Sequence, residues 1–127
     1  MKILLLDLDG TLTDPMLGLR RCLEYALAKS GAIWNPASQE EASLRWAVGP
    51  PFRQSAQGIL GPDQEHLYDE FLKHFRDRYA SDGWRENELY PGIHACLDSL
   101  RSQGHRLLIA TSKSETYVPN VLSHFGI

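Results

Sequence analysis

Two short apolar runs flank a long stretch of helical periodicity. The first run, Ile3-Leu4-Leu5-Leu6, is continuous rather than alternating and leads into Asp7-Leu8-Asp9-Gly10-Thr11. A continuous run of that length, bounded by turn residues, predicts a buried strand. The second, His105-Arg106-Leu107-Leu108-Ile109-Ala110, has the same character and runs into Thr111-Ser112-Lys113-Ser114. Between them the pattern changes. Leu19, Leu23, Ala26 and Leu27 recur at helical spacing, with Asp14-Pro15 as the start signal and Gly31 as the stop. Ser38-Gln39-Glu40-Glu41 has the form of a capping box. It opens a predicted helix carrying Ala42, Leu44, Trp46 and Ala47, broken at Gly49-Pro50-Pro51-Phe52. A short helix to Leu60 follows.

Gly61-Pro62-Asp63 opens the longest predicted helix, Gln64 to Tyr79, with Leu67, Phe71, Leu72, Phe75 and Tyr79 as a core-facing stripe. Ser81 to Pro91 reads as a polar connector, and Gly92 to Gln103 as a helix ended by Gly104. A last helix closes at Phe125-Gly126. Pro119 would interrupt a helix begun at Glu115, which places the regular start near Tyr117 or Val118. The order strand, helical block, helix, strand, helix predicts an α/β core that carries a helical insertion.

Composition narrows the setting without naming a function. The chain has 127 residues, 43% hydrophobic and 23% charged, which is ordinary for a domain with its own core. A net charge of −3 gives no reason to expect nucleic acid or an acidic membrane as partner. No apolar run is long enough to span a bilayer, and Asp7 cuts the first run short of a signal sequence. Cys22 and Cys96 are distant and stand in no metal-type spacing. They read as buried small hydrophobes, consistent with a cytoplasmic location. The five histidines form no ligand cluster in the sequence.

The chemistry concentrates where the two strands end. Ligands of open α/β sheets sit at the carboxyl ends of strands. Two aspartates at i, i+2 would face opposite sides of an extended chain, so the backbone must coil after Asp7, and Gly10 gives it that freedom. One aspartate of such a turn can attack an electrophilic phosphorus, while the other protonates the leaving oxygen and then deprotonates a water. A divalent cation would hold the anionic substrate against the carboxylate nucleophile. Backbone N–H groups of the coiled loop would cradle phosphoryl oxygens. Thr111 and Ser112 offer hydroxyl donors, and Lys113 a positive charge.

Asp7-Leu8-Asp9-Gly10-Thr11-Leu12 with Asp14 resembles motif I of the haloacid-dehalogenase-type hydrolases. Leu107 to Thr111 resembles their motif II, and the helical stretch from about Pro15 to Tyr79 resembles their small all-helical cap. Ala110-Thr111-Ser112-Lys113, with Gly49-Pro50-Pro51, looks most like the phosphoglycolate phosphatase-like branch. The resemblance implies a partial Rossmann-like parallel-sheet core over residues 1–14 and 82–127, with the cap at 15–81. It implies Asp7 as the nucleophile that forms an aspartyl-phosphate and binds Mg2+. Asp9 becomes the general acid and base, its backbone carbonyl a second Mg2+ ligand. Thr111 would bind the phosphoryl group, together with backbone N–H groups near Leu8, Asp9, Gly10 and Ser112. The cap loop from Gly49 to Arg53 would face the site, with Arg53 a candidate grip on a substrate anion. The expected activity is Mg-dependent hydrolysis of a small phosphorylated metabolite, such as phosphoglycolate or a nucleoside monophosphate.

The family also uses a later lysine and a later acidic pair, and no acidic pair follows a strand after Ala110. The expectation is therefore a chain truncated before those motifs. A core of two strands would leave open edges through which it could self-associate. Two alternatives accompany the phosphatase reading: a truncated non-catalytic fragment with at most weak phosphate binding, and a sugar-phosphate mutase of the same family.

Overall fold

The computed structural model describes residues 1–35, 44–48 and 51–127, in two compact units. Residues 1–15 and 87–127 form an α/β unit; residues 16–86 form a helical unit. The α/β unit contains strands β1 (Ile3–Leu6), β2 (Thr13–Asp14), β3 (Glu88–Leu89) and β4 (Arg106–Ile109), with helices α4 (Ile93–Ser102) and α5 (Val118–Phe125). The helical unit contains α1 (Met16–Ser30), α2 (Phe52–Leu60) and α3 (Tyr68–Ser81).

β1 and β4 pair in parallel with Ile3 opposite Arg106 and Leu6 opposite Ile109. The expectation of buried strands needs correction. Residues alternate in exposure along both strands, and Ile3 and Leu5 are 58% and 68% exposed, with Leu108 beside them at 40%. The opposite face carries Leu4, Leu6, Leu107 and Ile109, all half-buried. The described strands number only two in this sheet, so the continuous apolar run has two faces to hide and only one that is partly covered. Leu97 of α4 and Val121 of α5 are buried in this unit. An apolar cleft of about 160 Å³ remains, lined by Leu6, Leu97, Leu107, Ile109, Leu122 and Ile127 among others.

β2 and β3 form a small antiparallel pair that the sequence pattern did not suggest, Thr13 opposite Leu89 and Asp14 opposite Glu88. Asp14 therefore lies in a strand, and α1 begins only at Met16. The Tyr90 N–H donates to the Leu12 carbonyl at 3.1 Å, which ties the return segment to the end of the first loop. α5 starts at Val118 with Pro119 in its first turn, where a missing N–H costs nothing.

The helical unit closes on a continuous core. Cys22, Leu23, Ala26 and Leu27 of α1, Ala56, Ile59 and Leu60 of α2, and Phe71 and Phe75 of α3 are buried in one cluster. The spacing on α1 puts those four residues on one helical face. Phe52 packs on Phe75 with ring centroids 4.2 Å apart. The long helix expected from Gln64 is divided: Pro62–Leu67 forms tight 3-10 turns and α3 starts at Tyr68. Gln64 explains the division, because its amide binds back to both the N–H and the C=O of Ile33 and pins the segment before α3. Leu44–Ala47 is a 3-10 turn rather than part of a longer helix. The capping box at 38–41, Ala42 and the break at Gly49-Pro50 lie outside the described residues.

An ionic cluster links α1 and α3 through Glu86. Glu86 bridges Arg78 and Arg21, and the Arg78 guanidinium also donates to the Cys22 thiol at 3.3 Å. Hydrogen bonding from Arg78 holds the Glu86 carboxyl below its usual range, while burial pushes the Cys22 thiol up. Gly83 is required here, since a Cβ would stand 2.4 Å from the Cys22 sulfur. Cys96, expected to be buried, is exposed on α4, and both cysteines are free thiols. Among the described residues no helix is long and apolar enough to cross a membrane.

Candidate functional site

Parallel pairing decides where the polar residues meet. β1 and β4 run the same way, so their carboxyl ends lie side by side, and the Ala110 N–H donates to the Leu6 carbonyl at 2.8 Å. Asp7 begins the loop on one strand and Thr111 the loop on the other. The first loop is wound tightly. The N–H groups of Thr11, Leu12 and Thr13 all point to the Leu8 carbonyl, at 3.2, 2.9 and 3.0 Å, and the Gly10 N–H donates to the Thr13 carbonyl at 2.7 Å. Gly10 sits at φ +84°, a conformation that a side chain would strain. Leu8 and Leu12 are buried and anchor the loop.

The two aspartates are presented differently. Asp7 is exposed, and its Oδ1 accepts from the adjacent Leu8 N–H at 2.8 Å. Asp9 is only partly exposed, and both its oxygens are held. Thr13 Oγ1 donates to Oδ1 at 3.3 Å, and Lys113 Nζ donates to Oδ2 at 2.9 Å. The Lys113 side chain is 7% exposed and that of Asp9 26%, so the ion pair is shielded rather than a surface contact. Thr111 Oγ1 accepts from the Lys113 N–H at 3.2 Å, which sets the turn that aims the lysine. Ser112, between them, is exposed.

Sequence-predicted residues are thus distributed as follows. Asp7, Asp9, Gly10, Thr111 and Ser112 belong to the two strand-end loops of one unit. The Gly10 amide, expected among the phosphate donors, is bonded inside its own loop, and the Leu8 amide is bonded to Asp7. Arg53 belongs to the helical unit, where its guanidinium lies 5.0 Å over the ring of Tyr68. Thr13 has no role in the sequence reading, although it lies four positions after Asp9 in a loop that must turn back. In sequence Lys113 shows only a positive charge, because its carboxylate partner Asp9 stands 104 positions earlier.

No group of three or more His, Cys, Asp and Glu side chains is gathered to hold a metal ion among the described residues. The site offers hard oxygen donors instead: the exposed Asp7 carboxylate and nearby main-chain carbonyls. That set suits Mg2+, which keeps several waters and uses few protein carboxylates. An exposed carboxylate beside hydroxyl donors and a shielded carboxylate–ammonium pair can combine nucleophilic attack with proton transfer.

The family model for haloacid dehalogenase-like hydrolases matches residues 4–127. This chain belongs to that family. It is 38% identical over 123 residues to a 5'-nucleotidase of Pseudomonas aeruginosa, covering 97% of this chain and 53% of that protein. A phosphoglycolate phosphatase of Nitrosococcus oceani is 28% identical over 130 residues, covering 99% and 56%. Among solved structures, protein tyrosine kinase A of Mycobacterium tuberculosis superposes with a TM-score of 0.77 at 36% identity, covering 98% of this chain and 54% of the other. The chain spans about half the length of the curated relatives it matches. The α/β fold class and the likeness to phosphoglycolate phosphatases expected from the sequence agree with these matches.

Proposed function

We propose that these residues form the front half of a phosphomonoesterase site acting on a small phosphorylated metabolite, of the phosphoglycolate or nucleoside monophosphate kind. The observation that carries this reading is the meeting of the Asp7–Thr13 loop with the Thr111–Lys113 loop through the Asp9–Lys113 ion pair. Asp7 is the nucleophile: it is exposed at the strand end, and the Leu8 N–H on one oxygen leaves the other to attack phosphorus. Asp9 is the acid and base: its carboxylic acid form gives its proton to the departing alkoxide, and the carboxylate left behind takes a proton from the water that hydrolyses the aspartyl-phosphate, which restores the acid form. Thr111 and Ser112 donate hydroxyl hydrogens to the phosphoryl oxygens. The Asp7 carboxylate and the Asp9 main-chain carbonyl would hold Mg2+, which offsets the repulsion between carboxylate and phosphate when bound. The helical unit serves as the cap that selects substrate, with Arg53 as a candidate anion grip.

The relative named as a tyrosine kinase supports a second reading, in which the phosphoryl group on Asp7 passes to an alcohol instead of water. Release of inorganic phosphate separates the two. Purified protein with Mg2+ is expected to release phosphate from phosphomonoesters, and Asp7→Asn to reduce that release by about 10³-fold or more. Release that survives the substitution would contradict the assignment of Asp7.

A further inference from the structure

We infer that Lys113 and Thr13 are a matched pair of positioning residues that lock the Asp9 carboxylate for proton transfer, one from each strand-end loop. The inference rests on the reading of Asp9 as the proton-transfer group. A carboxylate held by one oxygen still turns about its Cβ–Cγ bond. Held by both, it is fixed. Here Thr13 Oγ1 takes Oδ1 and Lys113 Nζ takes Oδ2.

The holders are themselves fixed. Thr13 is fully buried and its backbone pairs with Leu89, while its single hydroxyl hydrogen is shared between Asp9 Oδ1 and the Leu8 carbonyl, each 3.3 Å from Oγ1. Lys113 is almost fully shielded and hangs from a turn closed on Thr111. Removing an ammonium from water is costly unless a close partner offsets it, and the pairing with Asp9 offsets part of that cost. An ion pair serving only to join two loops could use any exposed carboxylate, such as Asp7. Instead the lysine reaches the more shielded of the two aspartates, the one whose second oxygen is already held. Placement of a proton-transfer group matters at about the ångström scale, where a misplacement of ~1 Å costs about 10²-fold in rate.

A double-mutant cycle on the purified protein tests this, with p-nitrophenyl phosphate and Mg2+. Lys113→Met is expected to lower kcat by about 10²-fold with KM within about twofold. In an Asp9→Asn background the same substitution should change kcat by less than about twofold, because the group it positions is gone. Thr13→Val, which keeps the shape and loses the hydroxyl, should lower kcat by about tenfold. Equal losses from Lys113→Met in both backgrounds, or a raised KM with kcat intact, would overturn the inference and make Lys113 a direct substrate ligand or a structural residue. An arm independent of activity uses a carbodiimide. It should condense the Asp9 carboxylate with the Lys113 amine into an amide, the lost water appearing in the urea by-product, and the linked peptides should be found by mass spectrometry. Failure to find that link in folded protein would also overturn it. Asp7→Asn run alongside keeps the two readings apart: if it abolishes turnover while the cycle proves additive, the nucleophile stands and the positioning role falls.

Discussion

The helical unit and the α/β unit treat their apolar residues very differently. In residues 16–86 the helices close over one cluster, with Leu23, Ala26, Ile59 and Phe71 fully buried. In the α/β unit the equally apolar β1 leaves Ile3 and Leu5 more than half exposed, and a cleft remains beside Leu6 and Ile109. The helical unit satisfies its own pattern. The sheet does not, and it is the sheet that carries the candidate site. The difference teaches that a loop can draw its shape from its own hydrogen bonds on an under-covered element: local hydrogen bonds to the Leu8 carbonyl shape the Asp7–Thr13 loop, whereas the sheet beneath it depends on neighbours.

Substitutions can break or sharpen this contrast. The largest effect is expected from Phe71→Ala, which empties the centre of the closed cluster and should cost about 3–5 kcal/mol in denaturant unfolding. A small loss there would show that the helical core is loosely packed and the contrast weaker than described. Next comes Glu86→Gln, which removes the charge shared by Arg78 and Arg21 and should cost about 1–2 kcal/mol at neutral pH. The pH dependence has a definite sign. The Glu86 carboxyl is held below its usual value in the folded state. Its stabilisation is therefore complete above the unfolded value of about 4.3 and is lost as pH falls through the folded value. Wild type and Glu86→Gln should converge in melting temperature on acidification; curves that stay parallel down to acid pH would remove Glu86 from the ledger. The smallest effect is expected from Leu5→Ser on the exposed sheet face, within about 0.5 kcal/mol. A loss of several times that amount would mean that this face is covered in solution, and the contrast between the units would then close.

Much of the architecture was legible because its signals are local. Gly31, Gly104 and Gly126 mark helix ends, and Pro119 sets the start of α5. The Asp-x-Asp-Gly-Thr turn was legible for the same reason: acids after an apolar strand, then a glycine at positive φ. What the sequence concealed depends on partners distant along the chain. The pairing of Thr13-Asp14 with Glu88-Leu89 turned an expected helix start into a strand. Gln64 reaching Ile33 shortened the third helix. Half-exposure of Ile3 and Leu5 could not be read from an apolar run, because the run records what the strand favours and not how many neighbours it has. In the site, Asp9 and Lys113 are brought together only by the register of β1 on β4. Position 113 reads in sequence as one more loop lysine, and nothing in the local pattern singles out Thr13.

The central claim is that Asp7 carries the phosphoryl group during turnover. The most direct measurement is rapid acid quenching of the protein during turnover of a phosphorus-labelled ester, followed by proteolysis and location of the label. Acid preserves an acyl phosphate long enough to map, and alkali releases it. The predicted result is alkali-labile label on the peptide containing Asp7, absent from Asp7→Asn. Turnover with no acyl phosphate, or with label held elsewhere in the chain, would contradict the account.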